Sequence, residues 1–466
     1  MQRFESSAFQ AHISCPRTDV QLVRHGAALT VSLSYRGAYG MGEKYDALNQ
    51  KGHVVVNQVE EKFCFQGEKT YCPAPFFWTD SGFGLYVDTC ETTTFHFDEN
   101  SVTIDLPESA PVVAFSGEPA QIVSAYMELF GKAVLPPEWA FGVWVSANRW
   151  NCQKDAEQQI ENLKKHDFPA SILVLEAWSD EATFYIWNGA KYQPDPDGAA
   201  LQYDDFDFSD SPWPDPKDMV DALHKAGLHL VLWQIPVYKK QGPDEILNVQ
   251  NTLDREDAVR RGLCVHLADG TPYTIPDGHW FSGSMIPDYT NPETVRTWFD
   301  KRQYLLDMGV DGFKTDGGEF IYRPDVRFCD GSDGKSGKNR YARDYTCAYR
   351  DFIGSQRVLF SRAGFSGQHT VPMHWGGDQQ SQNAELRSQL HAGLSAAASS
   401  ILFWGFDIAG FAGPLPTLDL YRRATQMACF CPIMQWHSEP DGGQFKELMP
   451  GGEGNNERSP WNLAAA

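Results

Sequence analysis

VDGFKTDGGEF, from Val310 to Phe320, has the pattern of a short buried strand that runs out into a charged, glycine-flexible loop. Alternate side chains of a strand point to opposite faces, so Lys314 and Asp316 share one face while Phe313 and Thr315 share the other. A lysine and an aspartate at the exit of an apolar strand cost free energy unless they are paired, solvated or used. Gly317 and Gly318 allow a sharp turn and keep the space over Asp316 open. The stretch alone admits two readings: a structural Lys314–Asp316 ion pair, or a catalytic carboxylate beside a cation.

Outward from this strand the same grammar repeats. From Trp139 onward, short apolar runs alternate with amphipathic stretches. The expected strands are Ala140–Ser146, Ala170–Glu176, His229–Ile235, Gly312–Asp316, Val358–Ser361, Val371–Trp375, Ile401–Trp404 and Pro432–Trp436. Helical spacing fits Lys154–Lys165, Pro216–Ala226, Pro292–Met308 and Glu385–Ala397. Eight strands alternating with helices predict an α/β fold, a (β/α)8 TIM barrel, over residues 133–466. Long segments at about 179–212 and 238–290 read as insertions over the barrel mouth. Residues 1–132 carry short alternating stretches instead, such as Ala28–Tyr35, Phe83–Asp88 and Thr92–Phe97, and predict an N-terminal β-sandwich domain. Within it YGMGEKYDALNQKG, Tyr39–Gly52, reads as a shaped loop. Gln121–Gly131 has helical spacing and leads to Pro136 and Pro137.

Composition excludes several classes. With 39 basic against 61 acidic residues the formal charge is −22, a field that repels nucleic acid and anionic membranes. The chain shows neither a signal-like apolar start nor a run of apolar residues long enough to span a bilayer. Its ten cysteines form no CxxC pair, and at 466 residues no disulfide scaffold is needed, so reduced thiols in a cytoplasm are expected. No metal site is expected: histidines and cysteines lack ligand spacing, and HWGGD from His374 is not a zinc motif.

A barrel of this kind builds its active site where strands end and βα loops begin. Those ends carry Trp144 with Asn148 and Arg149, Glu176 and Trp178, Trp233, Lys314 and Asp316, Arg362, Trp375 and Asp378, Trp404 and Asp407, and Trp436 and His437. Flat aromatic walls suit the C–H faces of a sugar, and aimed charges suit its hydroxyls. Two carboxylates flanking an acetal can cleave it, and Asp316 and Asp378 are candidates on different strand ends. Lys314 gives Asp316 a nearby cation, whereas the Asp378 loop has none, an asymmetry that would push the two acidities apart. Bland alternatives stand beside these readings: Trp404 and Trp436 as barrel core, Glu176 as a plain strand end, Asp407 as a loop brace, His437 as a satisfied core histidine.

Four motifs, FKTDGGE (Phe313–Glu319), HWGGDQQS (His374–Ser381), FWGFDIAGF (Phe403–Phe411) and YGMGEKYDALNQKG near the start, together resemble glycoside hydrolase family 31, α-glucosidase and α-xylosidase type. The resemblance implies a retaining exo-acting α-glycosidase without metal or organic cofactor, with Asp316 as nucleophile and Asp378 as general acid/base. It also implies sugar contacts by Trp233, Lys314, Arg362 and His437; Glu176, Trp178 and Trp375 complete the expected substrate-binding set. Where the family strand usually ends in an aspartate, this one ends in Glu176, which changes the room around the sugar hydroxyls. Lys314 is similar to the α-xylosidase branch, so α-xylosides and α-galactosides stand beside α-glucosides as substrates. The expected partner is an oligosaccharide or small glycoside, with no nucleic acid, no membrane, and oligomerisation left open. The family ordinarily continues past the last strand into a helix and C-terminal β-domains. Ending at NNERSPWNLAAA, the chain is expected to lack them and to expose an apolar flank. The competing reading is a truncated sugar-binding protein that keeps the aromatic walls and hydrolyses nothing.

Overall fold

The computed structural model describes residues 1–148, 150–195, 198–438 and 458–463; Arg149, expected at the barrel mouth, lies outside the described residues. Eight strands build the barrel: β1 Val143–Ala147, β2 Ala170–Leu175, β3 His229–Gln234, β4 Gly312–Thr315, β5 Val358–Ser361, β6 Met373–Trp375, β7 Trp404–Gly405 and β8 Met434–Ser438. They form one sheet in the order β7-β6-β5-β4-β3-β2-β1-β8, and every neighbouring pair is parallel. Between β7 and β8 the ring is nearly closed by a parallel bridge from Asp407 to Gln435 and by the Ile408 N–H, which donates to the Gln435 carbonyl at 2.9 Å.

Strands of a parallel sheet are buried on both faces, which is why they read as unbroken apolar runs. In β2, Ile172 and Val174 fill the barrel interior with Trp144, Phe360 and Trp375, while Leu173 and Leu175 pack against the surrounding helices. The alternation inferred for β4 is present: Phe313 packs with the helices, and Lys314 lies inside over the Trp375 ring. The helices include Gln153–Lys165, Pro216–Lys225, Gly334–Ile353, Asn383–Ala398 and Leu418–Ala428.

Several boundaries differ from the sequence expectation. One helix was expected over Pro292–Met308, but two form, Pro292–Asp300 and Gln303–Asp307. The break falls at Arg302, whose buried guanidinium turns inward to donate to the Gln234 side chain at 2.6 Å and the Trp298 carbonyl at 3.0 Å. Ile401–Trp404 contributes strand only at its end, as Trp404–Gly405. The N-terminal part of Val371–Trp375 is preceded by a 3-10 turn, Gln368–Thr370, and the strand begins at Met373.

The N-terminal region forms two antiparallel sheets of five and six strands. Their facing apolar residues, among them Leu22, Val31, Phe77, Leu85, Phe95 and Ile104, make one core, which gives the expected sandwich. The stretch expected as a loop, Tyr39–Gly52, begins instead as a strand, Ala38–Gly42, with a register shift between Gly40 and Gly42 around Met41 at φ 69°. Beyond that bulge it docks on the barrel: the Gly42 and Lys44 N–H groups donate to the hydroxyls of Ser399 and Ser395, each at 2.8 Å, and the Tyr45 hydroxyl reaches the Gly376 carbonyl at 3.0 Å. A turn of helix, Pro460–Leu463, sets Trp461 6.0 Å from the Phe168 ring, which itself meets Trp436 at 5.3 Å, so this part of the barrel flank is covered.

Candidate active site

β4 delivers Asp316 immediately after its last strand residue, Thr315, and the Asp316 N–H donates to the Gln234 carbonyl at 2.9 Å. Gly317 follows at φ 70° and turns its own N–H back onto the carboxylate at 2.8 Å. The other carboxylate oxygen accepts the Trp233 indole N–H from the end of β3 at 3.0 Å. The cation beside Asp316 is Arg362, which follows β5 and places Nη1 3.2 Å from Asp316 Oδ1. The same nitrogen lies 3.8 Å from Asp378 Oδ2, in the loop after β6. The outer edge of the guanidinium is held by Glu319, fully buried, through two bonds of 3.1 and 3.2 Å. That fork leaves Nη1 alone facing both aspartates.

The expected Lys314–Asp316 pair does not form. Lys314 reaches across the barrel mouth to Glu176, with 2.6 Å between Nζ and Oε1 and both side chains buried. Glu176 follows β2, and the same oxygen accepts from the Ser146 hydroxyl at 3.2 Å. His437 on β8 shares that hydroxyl at 2.9 Å through Nδ1 and meets the Asn148 side-chain oxygen at 2.6 Å through Nε2. Burial works against the charge on Lys314, but the fields of Glu176, Asp407 and Asp316 outweigh it and hold its pKa above the ordinary value. For His437, burial and the positive charges of Lys314 and Arg458 push the pKa well down, so the ring is neutral.

Burial pushes the Asp378 carboxyl up to about 8; Arg362 opposes the shift, and the negative charges of Asp316 and Asp407 add to it. Asp407 is also raised, to about 6, by burial, and it braces its loop by accepting from the Gln435 amide.

These groups open into a cavity of about 420 Å³ lined by Glu176, Trp233, Lys314, Asp316, Arg362 and Asp378, with Asn148 beside them. Trp280 and Phe281 from the loop after β3, Glu181 from the loop after β2, Phe411 from the loop after β7, and Glu61 and Phe63 from the N-terminal sandwich complete the walls. The sequence reading missed these loop residues, which carry no strand-end signature, and it missed Glu319 although that residue ends the FKTDGGE motif. Three expected contacts stand behind the cavity surface instead. Trp178 is fully buried against Trp187 and donates to the Trp233 carbonyl at 2.9 Å. Trp375 lies under the Lys314 ammonium, 4.6 Å from ring centre to Nζ. His437 backs Glu176 and Asn148. Trp404 and Trp436 are core residues.

An eight-stranded parallel barrel that gathers two carboxylates around one arginine, one of them raised to about 8, in a cavity walled by aromatic rings, belongs to the class of barrel enzymes that cleave glycosidic bonds. Comparison with known proteins narrows the class: residues 133–453 match the glycosyl hydrolases family 31 TIM-barrel domain, and residues 22–96 match the glycosyl hydrolase 31 N-terminal galactose mutarotase-like domain. The chain therefore belongs to glycosyl hydrolase family 31. It is 38% identical over 442 residues to an isomaltosyltransferase of Sporosarcina globispora, a match that takes in 92% of this chain and 39% of that protein. It is likewise 38% identical over 440 residues to a 1,3-alpha-isomaltosidase of Kribbella flavida, covering 91% of this chain and 59% of the relative. Among solved structures, the cycloalternan-degrading enzyme of Trueperella pyogenes in complex with a covalent intermediate superposes with a TM-score of 0.86 at 35% identity, over 96% of this chain and 63% of that one. The chain thus spans less than two thirds of the length of each of these proteins.

Proposed function

We propose that this chain carries the catalytic part of a retaining, exo-acting α-glycosidase that acts on α-linked glucose oligosaccharides, with isomaltosyl units as the preferred donor. The observation that carries the reading is the single Arg362 nitrogen shared by Asp316 and Asp378. It holds both carboxylates at one guanidinium, where they can flank one glycosidic bond, and membership of family 31 supports the retaining course. Asp316, held by donors on both oxygens, attacks the anomeric carbon and forms a glycosyl ester as the bond to the leaving oxygen breaks. Asp378, raised to about 8 and so protonated at neutral pH, gives its proton to that oxygen. Now ionised, Asp378 takes a proton from water, or from a sugar hydroxyl, which attacks the same carbon and frees Asp316. The named activities of the two 38%-identical relatives support the choice of sugar, and the covalent intermediate in the Trueperella structure supports the ester. We take residues 1–132 as the sandwich and 133–466 as the barrel; ten free thiols suit a reducing cytoplasm. Among the described residues no helix is long and apolar enough to cross a membrane.

The test is a panel of nitrophenyl α-isomaltoside, α-glucoside, α-xyloside and α-galactoside. The expected order puts the isomaltoside first. Asp316→Asn should abolish turnover of all four, and Asp378→Ala should lose about 10²–10⁴-fold on substrates that need a protonated leaving group but much less on nitrophenyl ones. No release from any glycoside, with binding intact, would favour the sugar-binding reading; full activity in Asp316→Asn would remove the assignment.

A further inference from the structure

At the end of the barrel opposite the cavity, where strands begin, three side chains converge that the glycosidase chemistry does not use. Among the described residues, His224, His229 and Asp311 bring one nitrogen or oxygen ligand atom each within 4.8 Å of one another. His224 is in the last turn of helix Pro216–Lys225, His229 opens β3, and Asp311 immediately precedes β4. His224 Nε2 is 2.8 Å from Asp311 Oδ2, and His229 Nδ1 is 2.9 Å from Asp311 Oδ1. We infer that these three residues form a site for one transition-metal dication of the zinc type.

Two of the three side chains are held in place by groups outside the cluster. The Leu230 N–H donates to Asp311 Oδ2 at 2.8 Å, while the Asp311 N–H donates to the Leu230 carbonyl at 2.9 Å, so strand pairing fixes the carboxylate. The His229 ring lies flat on Trp139, with centroids 4.0 Å apart and planes 14° from parallel. Such orienting contacts are what a ligating carboxylate and imidazole need around them. Tetrahedral ligands at zinc distances sit about 3.3 Å from each other, so the two histidine–aspartate spacings would open slightly and the widest separation in the group, within 4.8 Å, would close around the ion. Imidazole nitrogens with one carboxylate favour zinc, nickel or copper over magnesium or calcium, which prefer all-oxygen shells. The His224 side chain is 36% exposed, which leaves an entry path and a fourth position for water.

Binding needs no redox partner. Each ring nitrogen that now meets the carboxylate must present a bare lone pair. A neutral histidine does so by carrying its proton on its other nitrogen, and a protonated one by releasing it. The ion would tie a helix end to two barrel strands. The two histidines, in HKAGLH, have a spacing that zinc ligands use, but the third ligand, Asp311, stands 82 residues from His229, beyond the reach of local spacing.

The experiment titrates untagged, metal-free protein with zinc by calorimetry and with cobalt by visible absorption. The expected result is one zinc per chain, cobalt ligand-field bands of a four-coordinate site, and a higher melting temperature with zinc but not with magnesium. His224→Ala and His229→Gln should each weaken zinc binding by about 10-fold or more. Absence of the cobalt bands in the wild-type protein, or undiminished zinc affinity in both variants, overturns the proposal. The wild-type spectrum decides the matter even where a variant folds poorly.

Discussion

At the scale of single residues, the functional asymmetry lies in what surrounds two aspartates of identical chemistry. Asp316 is met by the Trp233 indole, the Gly317 amide and the Arg362 guanidinium, all donors. Asp378 shares that guanidinium at longer range, and burial raises it to about 8. In the proposed mechanism the raised group is the acid, so its protonated form is the active one. The expected outcome is a kcat/KM on unactivated α-glucosides that stays level through neutrality and falls as pH rises through about 8, whereas nitrophenyl substrates, which need little protonation, show a weaker alkaline decline. Parallel pH profiles on the two substrate types check this. The two candidates were legible in the sequence because each ends a strand of the barrel rhythm. The cation beside Asp316 was assigned to Lys314 on proximity along the chain, and the structure replaces it with Arg362, 48 residues past Lys314 at the end of the neighbouring strand β5.

At the scale of elements, the Lys314–Glu176 pair is a tie between β4 and the end of β2, with β3 between them. Removing one partner strands the other as a buried charge, whereas replacing both with apolar groups restores a matched interior. Lys314→Met is therefore expected to cost about 3–5 kcal/mol of stability, most of it recovered in Lys314→Met/Glu176→Leu, as read from urea midpoints of the single and double variants. Equal midpoints for the two would show that the pair contributes little. Local sequence gave β4 its alternation, and the structure keeps it. It could not give the partner, because a contact spanning 138 residues depends on how the ring closes. The same limit explains Trp178: a tryptophan two residues past a strand end looks like a sugar platform, yet the chain turns it inward onto Trp187. It also explains Trp280 and Phe281, whose loop follows no period.

At the scale of the whole molecule, the sandwich and the barrel meet through buried polar contacts. Val59 N–H donates to the Asn339 side chain at 2.8 Å, and Glu43, from the sandwich side, accepts the Trp404 indole N–H of β7 at 2.6 Å. Burial pushes the Glu43 carboxyl up to about 8, against an unfolded value of about 4.3. An acid raised on folding contributes stability that is complete below the unfolded value and is lost as pH rises through the folded one. Glu43→Gln should therefore melt progressively higher than the wild type between pH 5 and pH 8.5, and scanning calorimetry across that range checks it; a constant offset would mean that Glu43 is not the titrating group. The junction of β7 and β8, held by one backbone bridge, one backbone hydrogen bond and the Gln435 amide bonded to Asp407, carries a mechanical consequence. A hoop loosens first where its ends are joined, so the backbone near Ile408 and Gln435 is expected to exchange with solvent deuterium before the rest of the ring, as hydrogen-exchange measurements would read. Asp316 and Arg362 ride on the unbroken arc from β3 to β5, and their spacing is insulated from that breathing.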